Sequence, residues 1–333
     1  MTLWLLLRSQ GLGHLWGIGV LNYIAIYLFI PLPVLLIAAL WFRQWRLGMG
    51  LGIPTLAFCL LYGAFFLPSL PHPPSPGQAI TVMTFNVRLG NQDALPLVQV
   101  IRAEQPDIVG LQEFTPQLLR ALTQALADDY PHKALVLEQP GLGAVGILSK
   151  FPVKKSVIFS LPGHRSGVRP NTGKAFSPPG SRLGIRATIQ ISDQRIQVVS
   201  VDGVHNPTLG EPFHQWPATA RKHYAQKTEE IRRLEEQLRQ ESDPFLLLCD
   251  CNLVDTSEFY ARLSSFAHDS FRKQGWGLGH TLSVQVGYFS LAAGQRIDYI
   301  WHSDEFTALR AWVGHDGGSS DHFPVLAKFV LTK

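Results

Sequence analysis

The sequence predicts an α/β protein of two packed β-sheets with helices on the outside, preceded by a helical hairpin long enough to cross a membrane. Three observations carry that expectation. Two uncharged runs fill most of the first 70 residues, short apolar runs alternate with amphipathic stretches from residue 80 onward, and many apolar runs end on one polar residue. Many strands, fewer helices and hairpin-like β–β connections suit sheet-on-sheet packing with outer helices.

The hairpin comes first. Residues 16–42 carry no charge over 27 positions and residues 47–70 none over 24. Each exceeds the roughly 20 helical residues that cross a hydrocarbon core. Two such runs in succession, without a basic n-region, do not fit a signal peptide. Trp16, Trp41 and Trp45 stand near the run ends, as interfacial aromatic residues do. Arg43 and Arg46 lie in the four-residue connection RQWR, and no further Lys or Arg follows until Arg88. That bias places the connection in the cytoplasm and both termini outside, against the opposing pull of Arg8.

The division expected is an anchor over residues 1–71 with spans at about 16–42 and 47–70, a linker over 72–79, and a globular domain over 80–333. The stretch 68–79, PSLPHPPSPGQA, holds five prolines. It suits a semi-rigid polyproline II spacer that would hold the domain a short distance from the bilayer.

Charge narrows the partners. Residues 1–71 hold three of the 29 Lys and Arg residues and none of the 25 Asp and Glu residues, which leaves 26 basic and 25 acidic residues for 72–333. The pI near 9.0 therefore owes much to the first segment, and no overall basic domain argues for nucleic acid. No CxxC or dense His/Cys set suggests a zinc site. Cys249 and Cys251 sit at i and i+2 on one expected strand, where a bridge between them is not expected.

Along the domain, AITVMTFNV reads as a strand. A helix then starts at Asp93 with Leu97, Val98 and Ile101 inward, and Pro106-Asp107 ends it. IVGLQ is the next strand. Thr115-Pro116 begins a helix with a hydroxyl cap and proline in its first turn. Strands follow at 132–138, 143–149, 154–160, 183–191 and 196–202. A charged helix spans about 221–241 with Ile231, Leu234 and Leu238 on its buried side and a solvated Glu/Arg/Lys face. PFLLLCD, a helix near 256–265, and the strands RIDYIWH, ALRAWV and FPVLAKFV complete the chain.

Polar residues close these runs in a fixed order. They are Asn86 in TFNVR, Glu113 in GLQEF, His205 in VHNP, Asp250 and Asn252 in CDCN, Asp298 in RIDYIW, and Asp321-His322 in SSDHFP. Hard-oxygen ligands, carboxamides and imidazoles meeting at one mouth are what metal-assisted attack on phosphorus requires. Singly each has an ordinary reading as a cap, turn former or surface residue. Together they do not.

With GILSKFPV, these words resemble, in order and wording, the endonuclease/exonuclease/phosphatase superfamily (DNase I-like), here in a membrane-anchored bacterial form, over about residues 80–331. The resemblance implies a four-layer α/β sandwich, two mixed β-sheets flanked by helices, and a divalent-metal-dependent phosphoesterase. It implies Glu113 as the main ligand of Mg²⁺, with Mn²⁺ as the alternative ion, and Asn86 and Asp321 completing or neighbouring that shell. Asp250 would orient or deprotonate the attacking water, and Asn252 would hold phosphate or water. His322 would donate to a phosphate oxygen with Asp298 fixing its tautomer, and His205 would be a second donor. Two departures stand out. Cys249 and Cys251 replace the Gly and Phe of the usual Gly-Asp-Phe-Asn, and His205 follows VDGV, so that Asp202 or His214 competes for its assignment.

One further stretch bears on substrate. Arg165, Arg169, Lys174 and Arg182 fall in a Gly/Pro/Ser-rich segment without acidic residues, read either as a solvated loop or as a basic arm on phosphate or anionic headgroups. The expected partners are the lipid bilayer and a phosphorylated substrate, lipid-linked or nucleic acid, and no protein partner is evident. Three readings stay open: a membrane-tethered phosphoesterase on lipid-linked phosphate, a membrane-anchored nuclease, and a non-catalytic scaffold.

Overall fold

The computed structural model describes residues 4, 7, 12, 15–67, 77–136, 144–162, 181–206, 208–240, 242–286, 289–291 and 294–331. Most of the proline-rich stretch, together with Arg165, Arg169 and Lys174, lies outside the described residues.

The hairpin rises through α1 (Trp16–Ile24), a 3₁₀ segment and α2 (Pro31–Trp41), and returns through α3 (Trp45–Gly50), α4 (Gly52–Tyr62) and the 3₁₀ turn Gly63–Phe66. Both arms, Trp16–Trp41 and Trp45–Phe66, are long and apolar enough to cross a membrane by length and composition. Ile30, Val34, Ile37, Ile53 and Leu56 are exposed along it.

The domain then runs β1 (Ala79–Asn86), α5 (Ala94–Glu104), β2 (Ile108–Phe114), α6 (Pro116–Ala125), β3 (His132–Val136), β4 (Ala144–Ser149), β5 (Val153–Pro162), β6 (Ser181–Ile191) and β7 (Gln194–Asp202). It continues through α7 (Trp216–Arg239), β8 (Phe245–Asp250), α8 (Glu258–Leu263), β9 (His268–Asp269), α9 (Ser270–Gln274), β10 (Val284–Val286), β11 (Phe289–Leu291), β12 (Asp298–His302), β13 (Phe306–Val313) and β14 (Val325–Leu331). The helix starts follow from capping chemistry. Asp93 accepts from the Leu95 amide and Thr115 from the Leu118 amide, with Pro116 at the first helical position. The charged helix α7 begins five residues earlier than its periodicity suggests, because Pro217 sits in its first turn.

One six-stranded sheet has the order β13-β14-β1-β2-β4-β3 and the other β5-β6-β7-β8-β12-β9. Each is mixed, with β1 parallel to β2 and β7 parallel to β8. Side-chain alternation builds the layers. Ile80 and Val82 point between the sheets to meet Leu246, Leu248 and Ile300. Met83 and Phe85 point outward to α5 and α6, and Leu247 and Cys249 outward to α7 and α8. The four-layer sandwich is the architecture expected from the family resemblance.

Between the sheets the filling changes character along the strands. At Gly110 a Cβ would lie 2.7 Å from the Leu248 Cβ, so the absent side chain permits the close approach of the sheets. Beyond it the seam turns polar: the Gln112 amide donates to Thr84 Oγ1 at 3.1 Å and across the seam to Ser200 Oγ at 3.2 Å. The candidate site begins at the next residues outward.

The domain packs against the hairpin base, whereas the proline-rich stretch alone suggested a domain held off by a spacer. Ile24 leaves the helical region, and backbone carbonyls near it take partners from the domain. Thr256 Oγ1 donates to the Asn22 carbonyl at 2.7 Å and the Gln295 amide to the Tyr23 carbonyl at 2.7 Å. The Tyr23 hydroxyl in turn donates to the Asn252 carbonyl at 2.9 Å.

Candidate active site

The strand ladder sets the centre. Asp250 ends β8, Asp298 begins β12, and the two are register partners in an antiparallel pair. Their side chains stand on the same face of the sheet, where Leu248 and Ile300 stand one pleat earlier. Asn86, at the end of β1 in the other sheet, donates from Nδ2 to Asp250 Oδ2 at 2.8 Å. The second oxygen, Oδ1, accepts from the Asn252 amide at 3.0 Å. Asp250 is thus gripped from both sheets.

His322 completes the centre from the loop between β13 and β14. Its Nδ1 donates to Asp298 Oδ2 at 2.9 Å, which leaves Nε2 for a substrate. Thr281 Oγ1 accepts from the amides of Ile297 and Asp298 at 3.2 and 3.3 Å. Ser320 Oγ accepts from the His322 amide at 3.1 Å and donates to the Asn86 carbonyl at 2.6 Å.

Electrostatics follow from burial. Desolvation and then Asp298 push the Asp250 carboxyl well above the usual carboxylate range; His322 pulls it back, and Asp202 and Glu113 push further. Burial is the largest single influence on His322 and lowers it, but the charge and hydrogen bond of Asp298, together with Asp250 and Asp321, carry the imidazole up to about 10. The centre therefore sets the Asp298–His322 pair beside a buried carboxyl whose charged form is disfavoured by burial and favoured by added positive charge.

A divalent cation fits this chemistry. Ligand atoms of Asp250, Asp298 and His322 lie within 4.8 Å of one another, and Asp298 Oδ1 is buried without a hydrogen-bond partner. That grouping differs from the sequence expectation of Glu113, Asn86 and Asp321. Asn86 has both ends of its carboxamide engaged, on Asp250 and on the Arg88 amide, and acts as a clamp on Asp250. Glu113, at φ 63, is held at the site rim by the Leu89 amide, which donates to its Oε2 at 2.9 Å. Asp321 is half-exposed, 3.9 Å from Arg88.

Asn252 and His205 form the other wall. Asn252, at φ 47, donates from Nδ2 to the Gly203 carbonyl at 3.1 Å, and its Oδ1 lies 3.4 Å from His205 Nδ1. Of the three candidates for this wall, His205 is exposed and faces Asn252, Asp202 is buried against Arg182 with its Oδ1 3.5 Å from Asn252 Nδ2, and His214 lies in the exposed turn Phe213–Gln215. Arg182 itself is a correction. It is the second residue of β6, is 7 % exposed, donates to the Asp202 carbonyl at 2.8 Å and pairs with the Asp202 carboxylate, so it is no open phosphate arm.

The cysteines are a second correction. Cys249 and Cys251 are joined in a disulfide with Cα atoms 4.9 Å apart. An extended i, i+2 pair would stand about 6.6 Å apart. The chain leaves the strand after Asp250 to turn at Asn252, and that departure brings the two sulfurs together in the outer core.

Sequence reasoning missed the support beneath these loops. Lys227 and Glu230 read as part of a solvated helix face, yet they form a buried pair at 2.7 Å. Glu230 Oε2 accepts from the Val204 amide at 2.6 Å and Lys227 Nζ donates to the Cys251 carbonyl at 2.7 Å. One ion pair therefore holds both the His205 loop and the Asp250–Asn252 turn. The only available signal was their place on the side of α7 that also carries Ile231 and Leu234.

Phosphoester hydrolysis is the chemistry such a centre serves, and the chain match agrees. Residues 83–322 match the Endonuclease/Exonuclease/phosphatase family, and the chain belongs to this family of hydrolases acting on phosphoester bonds. No curated protein matches the sequence. Among solved structures, an endonuclease/exonuclease/phosphatase family protein from Bacteroides thetaiotaomicron is similar at 19 % identity and a TM-score of 0.58, over 77 % of this chain and 99 % of that one. A mannosyl-6-phosphatase from the same species aligns at 20 % identity and 0.55, over 76 % of this chain and 100 % of the other. TDP2 from C. elegans aligns at 18 % and 0.55, over 78 % and 77 %.

Proposed function

We propose that this chain is a membrane-anchored, divalent-metal-dependent phosphoesterase that hydrolyses a lipid-linked phosphate ester. The observation that carries the chemistry is the Asp250–Asp298–His322 centre, with Asn86 and Asn252 fixing both oxygens of Asp250. The observation that favours a lipid is the exposed apolar hairpin whose Tyr23 hydroxyl bonds the Asn252 backbone.

In this reading Glu113 would hold Mg²⁺ or Mn²⁺, and Asp321, Asp250 and Asp298 would offer further oxygen donors. The ion, when bound, polarises a phosphoryl oxygen and offsets developing charge. Asp250, kept in one rotamer by its two donors, orients the attacking water and takes its proton. His322 donates from Nε2 to a nonbridging phosphate oxygen, and Asp298 stabilises the imidazolium. Asn252 and His205 bind the phosphate from the opposite wall. Both termini lie on the extracytoplasmic side, a placement supported by Arg43 and Arg46 at the hairpin tip and by a disulfide suited to an oxidising compartment.

The test is hydrolysis by the full chain in vesicles with Mg²⁺, using a lipid diphosphate, a phospholipid diester, a soluble phosphomonoester and plasmid DNA, with Asp250→Asn as blank. Turnover of lipid substrates supports the proposal. Nicking of DNA alone would transfer the protein to the nucleases.

A further inference from the structure

The segment Gly275-Trp276-Gly277-Leu278-Gly279 follows α9. Two of its glycines, Gly277 at φ 83 and Gly279 at φ 65, occupy left-handed backbone that other residues rarely take. The conformation turns three groups toward the hairpin base. The Gly277 amide donates to the Phe65 carbonyl at 2.7 Å, satisfying an acceptor at the helix end. Leu278 packs into the apolar core between the hairpin helices. Trp276 meets Phe66 edge-on at 5.9 Å between ring centroids, yet remains 70 % exposed.

The depth of this loop can be read from the hairpin. From the tip at Arg43 to Tyr62 is a rise of about 28 Å at 1.5 Å per residue, close to the roughly 30 Å of a hydrocarbon core. Phe66 lies four residues, about 6 Å, beyond that level, within the headgroup layer. A tryptophan exposed at that level, against an aromatic ring of the hairpin, matches the amphipathic side chains enriched at membrane interfaces. Exposed Lys273, one turn before it, can reach headgroup phosphate.

We propose that the Gly275–Gly279 loop is a second membrane contact, with Trp276 seated in the headgroup layer so that the active-site mouth lies at the bilayer surface. The same segment runs directly into the centre. Thr281 accepts from the Asp298 amide, its carbonyl accepts from the Phe323 amide at 2.7 Å, and Leu282 bridges to His322. The loop thus joins the membrane surface to the Asp298–His322 pair, and its substrate is a phosphate ester presented at headgroup height. The inference rests on the membrane reading above.

The test uses the full chain in phospholipid vesicles, with Cys59→Ser and one cysteine at a time carrying an environment-sensitive fluorophore. The positions are Trp276→Cys, Ile53→Cys in the middle of the hairpin, and Asp128→Cys at the opposite end of the sheets. Nitroxide lipids labelled at the headgroup or along the chain serve as quenchers. The expected result is quenching at 276 by headgroup nitroxides, at 53 by chain nitroxides, and at 128 by neither. Quenching at 53 with 276 behaving like 128 would overturn the loop contact alone. No quenching at 53 would overturn the membrane reading and this inference with it.

Discussion

Asn86 and Asp250 belong to different sheets, and a single 2.8 Å hydrogen bond from carboxamide to carboxylate closes the sandwich at the point where chemistry begins. The bond makes the position of Asp250 depend on the packing of the two sheets and not only on its own strand. It joins residues that lie 164 positions apart in the chain.

Asn86→Ala removes that donor and leaves Asp250 Oδ2 without it in a buried site. The expected cost is about 1–3 kcal/mol in urea unfolding. A fall in kcat of roughly a hundredfold, with KM little changed, is expected because a positioned base is lost and phosphate contacts are kept. An unchanged kcat would show that the clamp does not serve catalysis.

Glu113→Gln keeps the shape and the acceptor for the Leu89 amide but removes the charge. Calorimetric titration with Mg²⁺ should show much weaker binding, and metal-dependent turnover should be lost while circular dichroism is unaltered. Full affinity in this variant would move the ion wholly onto Asp250, Asp298 and His322.

Lys227→Met leaves Glu230 charged and buried. Loss of one partner of such a pair costs on the order of 3–5 kcal/mol. Denaturation of the single variant and of Lys227→Met with Glu230→Gln should differ, the double variant being the more stable. Equal stabilities would mean that the pair contributes only through its separate backbone contacts.

His302 gives a pH signature apart from the centre. Burial pulls its imidazole down to about 4, against the pull of its backbone bond at Ser303. The folded state then stays neutral where the unfolded state, with the ordinary value near 6.5, takes up a proton. Stability falls as pH drops from about 6.5 to 4, by up to roughly 3 kcal/mol. His302→Asn can keep the donor to Ser303 without titrating, so its urea midpoint should vary less over that window.

Much of this was legible before the fold was known. Apolar alternation gave nearly every strand, because sheets buried on both faces leave runs such as PFLLLCD that no helix pattern matches. The polar residues ending those runs marked the centre, since the ends of neighbouring strands converge in space. What stayed hidden depended on the third dimension. No sequence feature shows the partner that Asn86 takes across the seam. Lys227 and Glu230 read as surface because i, i+3 charges are ordinary on helices. The disulfide is not legible because extended geometry ends one residue earlier than the apolar run implies, and Arg182 borders a Gly/Pro/Ser-rich segment although it belongs to β6.

Gly110 acts as the shim of the whole assembly. A methyl group there would meet Leu248 one pleat below Asp250, and relief would have to come from spreading the two sheets or shifting that strand. Either movement would act like a lever on the Asn86 contact, opening a gap at the rim larger than the obstruction at the pivot. The smallest residue in the seam therefore sets the tolerance to which the Asp250 carboxyl is aligned.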